Sequence, residues 1–231
     1  MAGKFELPKR AMAVFAHPDD VDFGCSGTLS LWADQGVHIT YCLLTSGQKG
    51  THDPDMHPDR LARIREREQR AAGQVVGTRE FVFLGHQDGE LERSKELTGE
   101  VCRVIREHRP ELILTQDPWR EYQLHPDHRV AGWSAMDGLI AARDHLFYAD
   151  QLANGLQHHR VRRVLLFGTA EPNLWFDIST TMQRKIRAIT SHKSQVADPK
   201  GLGLRMRAFA GSTGRAWGLE YGEGFRYFDL G

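Results

Sequence analysis

Cysteine is scarce in this 231-residue chain, where Cys25, Cys42 and Cys102 form an odd, scattered set with no C-x-x-C pair. That argues against a disulfide framework or a cysteine-built zinc centre, and a reducing cytoplasm is the expected compartment. A surplus of either charge is also missing, since 30 basic residues balance 30 acidic ones. Such a chain offers no electrostatic footprint for nucleic acid or an anionic membrane. No apolar run approaches the roughly 20 residues of a membrane span, and Met1 to Pro8 hold no apolar core of the signal-peptide kind. Repeats and low-complexity segments are lacking too. What is left, at 40% hydrophobic residues, is an ordinary globular composition whose length suits one α/β domain over 1–231.

Two short clusters carry the chemistry. Apolar Ala11 to Ala16 read as a buried strand, and His17-Pro18-Asp19-Asp20 follow at its carboxyl end. A second apolar strand, Leu112 to Thr115, precedes His125-Pro126-Asp127-His128. One such cluster alone would be read as helix-capping aspartates with surface histidines. Two, each after a strand, point to a metal site assembled from distant parts of the chain.

Between and beyond them, strands are expected at Val37 to Leu44, Phe81 to Leu84, Val164 to Phe167 and Trp175 to Ile178. Helices are expected from Thr28 to about Gly36, Arg60 to Val76, Leu97 to His108, Pro126 to about Arg143, and Thr180 to His192. Gly24 and Gly27 match no phosphate-loop pattern and are assigned to close helix-to-strand packing. His57-Pro58-Asp59 copies part of the first cluster but reads as a helix start, with Pro58 at the first helical position. Pro199 to Gly203 reads as a break. The basic helix after Leu204 and the aromatic tail Phe225 to Phe228 are expected to form a C-terminal extension over about 200–231, outside the sheet unit and packed on the core or on another subunit of a homo-oligomer.

Alternating strands and helices imply a mostly parallel sheet in a Rossmann-like three-layer α/β/α sandwich. In the doubly wound order 3-2-1-4-5, the first and fourth strands are neighbours at the switch point. Both clusters then meet at the carboxyl ends of strands 1 and 4.

With both clusters in view, the chain resembles the PIG-L/LmbE-like family of zinc-dependent N-deacetylases. AHPDD at 16–20 and HPDH at 125–128 are its strongest marks. Leu44-Thr45-Ser46-Gly47, Arg65-x-x-Glu68, the turn Phe83-Leu84-Gly85 to Asp88-Gly89, and His192-x-Ser194-Gln195 add to it. The resemblance implies that His17, Asp20 and His128 hold Zn2+, with Fe2+ able to take its place. It implies Asp19 as general base, His125 as the support of the oxyanion or leaving group, Asp127 as the residue orienting His125, and Arg65 and Asp88 as substrate contacts. The implied substrate is a small N-acyl amino-sugar or conjugate. Two departures bear on its identity: Gln123 stands where some members have tyrosine, and Gln48 to Thr51 lack an acidic residue that some carry.

The chemistry agrees with the resemblance. Three protein ligands leave a position open for a reacting water, and a cation acidifies that water to a pKa of roughly 7. In this reading Asp19 takes the water's proton and a protonated His125 steadies the developing oxyanion. Two other readings stay open. Two histidines and a carboxylate also form the facial triad of non-haem iron(II) oxygenases, and a Rossmann-like sheet can carry a sugar-binding module without catalysis.

Overall fold

The computed structural model describes residues 5–231, so the reading of Met1 to Pro8 falls partly outside it. Its elements are β1 (Arg10–Phe15), α1 (Asp20–Asp34), β2 (His38–Thr45), α2 (Pro58–Val76), β3 (Glu80–His86), α3 (Lys95–His108) and β4 (Leu112–Gln116). They continue with α4 (Pro126–Arg143), α5 (Ala149–Ala153), β5 (Arg163–Phe167), β6 (Leu174–Asp177), α6 (Met182–Ile189), α7 (Pro199–Arg215) and β7 (Gly222–Asp229). Seven strands form one sheet in the order β3-β2-β1-β4-β5-β7-β6. The first five pair in parallel, as the alternation of strands and helices requires, and β7 runs antiparallel to both β5 and β6.

β1 is buried on both faces, which is why its sequence is a continuous apolar run rather than an alternating one. Met12, Val14 and Ala16 enter a core with Val101, Val104, Ala131 and Ala135 of α3 and α4. Ala11, Ala13 and Phe15 enter the opposite core with Val21, Cys25, Leu29 and Trp32 of α1 and with Ala72 and Val76 of α2. Burying one such Leu or Phe side chain contributes about 1.5–3 kcal/mol. Helices thus cover both faces of the sheet and leave the carboxyl ends of β1 and β4 side by side.

Three expectations need correction. The aromatic tail is not outside the sheet. It is β7, hydrogen-bonded between β5 and β6 with Phe225 fully buried. The supposed break at Pro199 is the start of α7, with Asp198 capping Gly201 N–H and Pro199 in the first turn, where its missing N–H costs nothing. α1 begins at Asp20 rather than near Thr28, because Gly24 and Gly27 lie inside it. A side chain at Gly24 would collide with the Phe167 ring of β5, so close packing accounts for these glycines. Among the described residues no helix is long and apolar enough to cross a membrane.

Candidate active site

The turn after β1 is tied to its neighbours before any side chain reaches the site. Ala16 N–H donates to Gln116 Oε1 at the end of β4 (3.2 Å), and Thr45 N–H at the end of β2 donates to Ala16 O (2.9 Å). Asp20 Oδ2 then accepts the His17 backbone N–H at 2.7 Å, closing the turn on itself. Asp19 sits between them in a left-handed conformation, φ 99°. A non-glycine residue held there costs of order 1–3 kcal/mol and persists only where its surroundings hold it. The effect is to point neighbouring carboxylates in different directions.

Asp19 occupies the N-cap position of α1, yet its side chain makes no capping bond. Its Oδ2 instead lies 3.2 Å from Arg65 Nη2. Asp20 spans two imidazoles, with Oδ2 3.3 Å from His17 Nδ1 and Oδ1 3.1 Å from His128 Nε2. Helix capping therefore does not account for the paired aspartates.

The second cluster opens α4. His125 is its N-cap, with Nδ1 accepting Asp127 N–H at 3.2 Å, and Pro126 follows in the first turn. This puts His128 one turn along, facing back across the switch point. The side-chain nitrogens of His17, His125 and His128 lie within 4.8 Å of one another, a group that could hold a metal ion. The two clusters meet, as the topology predicted.

Asp127 does something other than expected. Its carboxylate does not orient His125; only its backbone N–H touches that ring. Fully buried, Asp127 places Oδ2 3.0 Å from His17 Nε2 and accepts from Gly89 N–H (2.7 Å) and Leu91 N–H (3.3 Å). Asp88 Oδ1 joins it, 3.2 Å from the same nitrogen. With Nε2 taken by two carboxylates, Nδ1 is the His17 nitrogen turned towards Asp20. Such outer partners fix the ring and tautomer of a metal-binding histidine.

Arg65 and Asp88 are likewise not open to a substrate, being 4% and 7% exposed. Arg65 donates to Gly47 O (2.8 Å), Pro18 O (2.6 Å) and the Asp19 carboxylate, so it braces the turn. Gly47 is needed for this, since its φ is +63° and any β-carbon would strike the guanidinium. Of the two departures, Gln48 is spent on His86 O and Gln87, while Gln123 is tied through its backbone, its N–H donating to Arg120 O and its carbonyl accepting from Arg129.

The electrostatics follow from this crowding. Burial alone would lower the His17 pKa, but the carboxylates of Asp127, Asp20 and Asp88 outweigh it and push it up to about 11. Burial would raise Asp20, and its bonds to His128 and His17 hold it well below the usual carboxylate range. Asp127 and Asp88 are also lowered, against burial, chiefly by His17. Asp19 is raised to about 7, first by burial and then by the Asp20 charge. His125 is lowered by burial and by the two neighbouring imidazoles. The protonated His125 expected from sequence is therefore disfavoured. Its neutral ring accepts at Nδ1 and so carries its hydrogen on Nε2.

Three carboxylates gathered about imidazoles, with that of Asp19 beside them, make a site that calls for a cation, and two imidazoles with one carboxylate suit zinc or iron(II). Concavities of about 430 Å3 beside Ser94 and Tyr148 and about 660 Å3 beside Phe5 and Trp32 lie elsewhere and hold neither cluster.

Two buried polar residues, Gln69 and Asp22, carry no mark in the sequence motifs, and they join His192, whose motif assigned it no role. Gln69, Asp22 and His192 are each fully buried and run in a chain from the Asp19 backbone to the far side of α1. A signal for one of them existed. The buried stripe of α2 is Leu61, Arg65, Gln69, Ala72, Gly73 and Val76, so Gln69 holds a core position that an uncharged polar side chain takes only when partnered.

Comparison with known proteins shows the family. The family model for PIG-L, GlcNAc-PI de-N-acetylase, matches residues 12–138, which include both clusters. Diacetylchitobiose deacetylase of Thermococcus kodakarensis is 34% identical over 225 residues, covering 96% of this chain and 84% of that one. A probable N-acetyl-alpha-D-glucosaminyl L-malate deacetylase 2 of Bacillus anthracis is 29% identical over 199 residues, 82% of each chain. The solved structure of N,N'-diacetylchitobiose deacetylase from Pyrococcus horikoshii, complexed with its inhibitor MPG, superposes with a TM-score of 0.92 at 31% identity, over 97% of this chain and 88% of that one. This chain belongs to the PIG-L/LmbE-like deacetylase family.

Proposed function

We propose that the chain is a zinc- or iron(II)-dependent hydrolase that removes an N-acyl group, acetyl by analogy with its relatives, from a small amino-sugar substrate. The observation that carries this reading is the meeting of His17, Asp20 and His128 at one point, with Asp19 beside Asp20 but turned away from it. Those three residues would hold the metal. When bound it supplies a Lewis acid for the amide carbonyl and a water acidified to a pKa of roughly 7.

The protein's own groups do the rest. Asp127 and Asp88 hold the Nε2 side of His17 and leave Nδ1 for the metal. Asp19 is the general base, taking the proton from the attacking water and passing it to the departing nitrogen, a contribution of about 10²–10⁴-fold. Arg65 fixes where that carboxylate points. His125, with its hydrogen on Nε2, donates to the carbonyl oxygen as negative charge gathers there; losing one such donor costs about 10²–10³ in rate. A cytoplasmic setting fits three buried, unpaired cysteines.

The test is amine release from N-acetylglucosamine and N,N'-diacetylchitobiose by zinc-loaded protein under nitrogen. Turnover that stops with a chelator and returns with zinc supports the reading. Metal-loaded protein that releases no amine from a panel of N-acyl sugars, or turnover that ignores chelation, would overturn it. A strict need for oxygen would turn the assignment to the iron oxygenase.

A further inference from the structure

The His192-x-Ser194-Gln195 segment and the buried Gln69 have no role in the chemistry above, yet both are wired to it. Asp19 N–H donates to Gln69 Oε1 at 2.8 Å. Gln69 Nε2 donates to Asp22 Oδ2 at 2.8 Å, and the same oxygen lies 2.8 Å from His192 Nε2. Asp22 Oδ1 has no partner, so the whole of this carboxylate's bonding runs through the one oxygen. The next residues of the segment tie down the surroundings: Ser194 bonds Glu68 of α2 through N–H and Oγ (2.9 and 2.6 Å), and Gln195 Nε2 donates to Gly50 O (3.0 Å).

The direction of this chain is decided by chemistry. An ionised Asp22 only accepts, so Gln69 must turn its NH2 towards it, which leaves the amide oxygen facing Asp19 N–H. His192 holds Asp22 in place from the other side. Gln69 and Arg65 are one turn apart on the same face of α2. Arg65 takes Pro18 O and the Asp19 carboxylate while Gln69 takes Asp19 N–H, so together they grip both ends of the residue whose backbone is left-handed.

We infer that Gln69 is a positioning residue for the reaction, its amide orientation locked by the Asp22–His192 pair, and that it keeps Asp19 in the conformation that separates the base from the metal ligand Asp20. This deepens the proposed function and rests on Asp19 being the base.

The test compares four variants of the full chain with the wild type, each checked for cooperative unfolding and metal content. Gln69→Leu removes the acceptor. Gln69→Glu sets an acceptor against Asp22, and Asp22→Asn frees the Gln69 amide to flip. Each should lower kcat by about 10–100-fold, the range for outer-shell changes, while KM and bound metal stay near wild type. The double variant Asp22→Asn/Gln69→Glu restores every donor–acceptor match at unchanged net charge. The NH2 of the new amide, standing where both bonds now meet, would donate to the carboxylate at 69 and to His192 Nε2, that ring taking its Nδ1–H tautomer, and Asp19 N–H would donate to the same carboxylate. Recovery of kcat to at least about ten times that of either single variant is the expected result, one that a merely structural role would not produce. Wild-type kcat in folded, metal-loaded Gln69→Leu overturns the inference, as does a folded double variant no better than its parents. Should a single variant not fold, the double variant decides, and should the double not fold, Gln69→Leu decides. Asp19→Asn is assayed alongside. Full turnover in that variant would sink the reading of Asp19 as base and this inference with it, whereas an inactive Asp19→Asn beside a normal Gln69→Leu would sink only the inference.

Discussion

Asp19 and Asp20 are adjacent in sequence and separate in task, and the reason is one backbone angle. Asp20 reaches both His17 and His128, so Asp20→Ala should cut metal affinity, with turnover partly returning in excess zinc. Asp19 reaches Arg65 and neither histidine pair, so Asp19→Asn should keep the metal and lower kcat and kcat/KM together by about 10²–10⁴-fold. Metal titration beside steady-state kinetics separates the two, and the assignment is reversed if Asp19→Asn is the variant that loses metal. Asp127→Asn should weaken metal binding by about 10–100-fold, because Asp127 holds His17 rather than His125; unchanged affinity in a competition titration would contradict that. The members of the site could be named from sequence because each cluster is contiguous and follows a strand. How they are braced could not. Arg65, Gln69, Asp22 and His192 come from two helices and the segment after a third, and a partnered buried polar group looks in a sequence like a solvated one.

At the scale of elements, close approach explains what composition leaves open. α1 can lie against β5 because Gly24 has no side chain, and Gly24→Ala would meet the Phe167 ring. Overpacking of this kind costs about 1–3 kcal/mol, so the urea midpoint should fall with little change in slope; a midpoint unmoved from wild type would refute the packing account. A second junction, at the other end of the sheet, responds to pH. Glu80 at the start of β3 lies between His38 of β2 and His108 at the end of α3. Burial would raise its pKa, but His108 and His38 lower it below the usual 4.5. A carboxylate lowered on folding adds stability that is complete above about pH 5 and is lost as pH falls through the lowered value. Glu80→Gln should therefore be less stable than wild type near neutral pH and show a shallower loss on acidification. Denaturant midpoints that fall in parallel for both proteins between about pH 6 and pH 3 would rule this out. The two His-Pro-Asp helix starts were legible, since His57-Pro58-Asp59 and His125-Pro126-Asp127 both form N-caps whose ring nitrogen accepts a backbone N–H, whereas the starts of α1 and α7 were not. The first-turn aspartates were less so, because Asp22 faces inward to Gln69 rather than outward to water.

For the whole molecule, the informative element is β7, whose sequence reads as a tail outside the sheet. A parallel sheet announces itself through strands that alternate with helices. β7 follows a helix too, but it runs antiparallel and inserts between β5 and β6, and nothing local in Gly222 to Asp229 encodes that partner. Its hold on the rest of the fold passes through Glu223. The Glu223 carboxylate accepts from Gly27 N–H (3.1 Å) and Thr28 N–H (2.7 Å) of α1 and pairs with Lys185 Nζ of α6 at 2.7 Å. Lys185 and Glu223 are 3% and 6% exposed, and Lys185 also donates to Asp22 O (3.0 Å) and Phe23 O (2.7 Å). Removing one member of a buried pair leaves the other charge uncompensated and costs about 3–5 kcal/mol. Glu223→Ala should fall in that range, towards its lower end because the two carbonyls still receive the Lys185 ammonium. Glu223→Gln keeps one acceptor oxygen for these donors while its NH2 meets the other as a donor, so it should cost less than the alanine variant, which keeps none, without matching wild type. The ordering carries the argument: if the pair matters for charge alone, the two variants should be equal, and if β7 is peripheral, both should cost under about 1 kcal/mol, as surface pairs do. Chemical denaturation of both variants at neutral pH, with metal content held constant, discriminates the three cases.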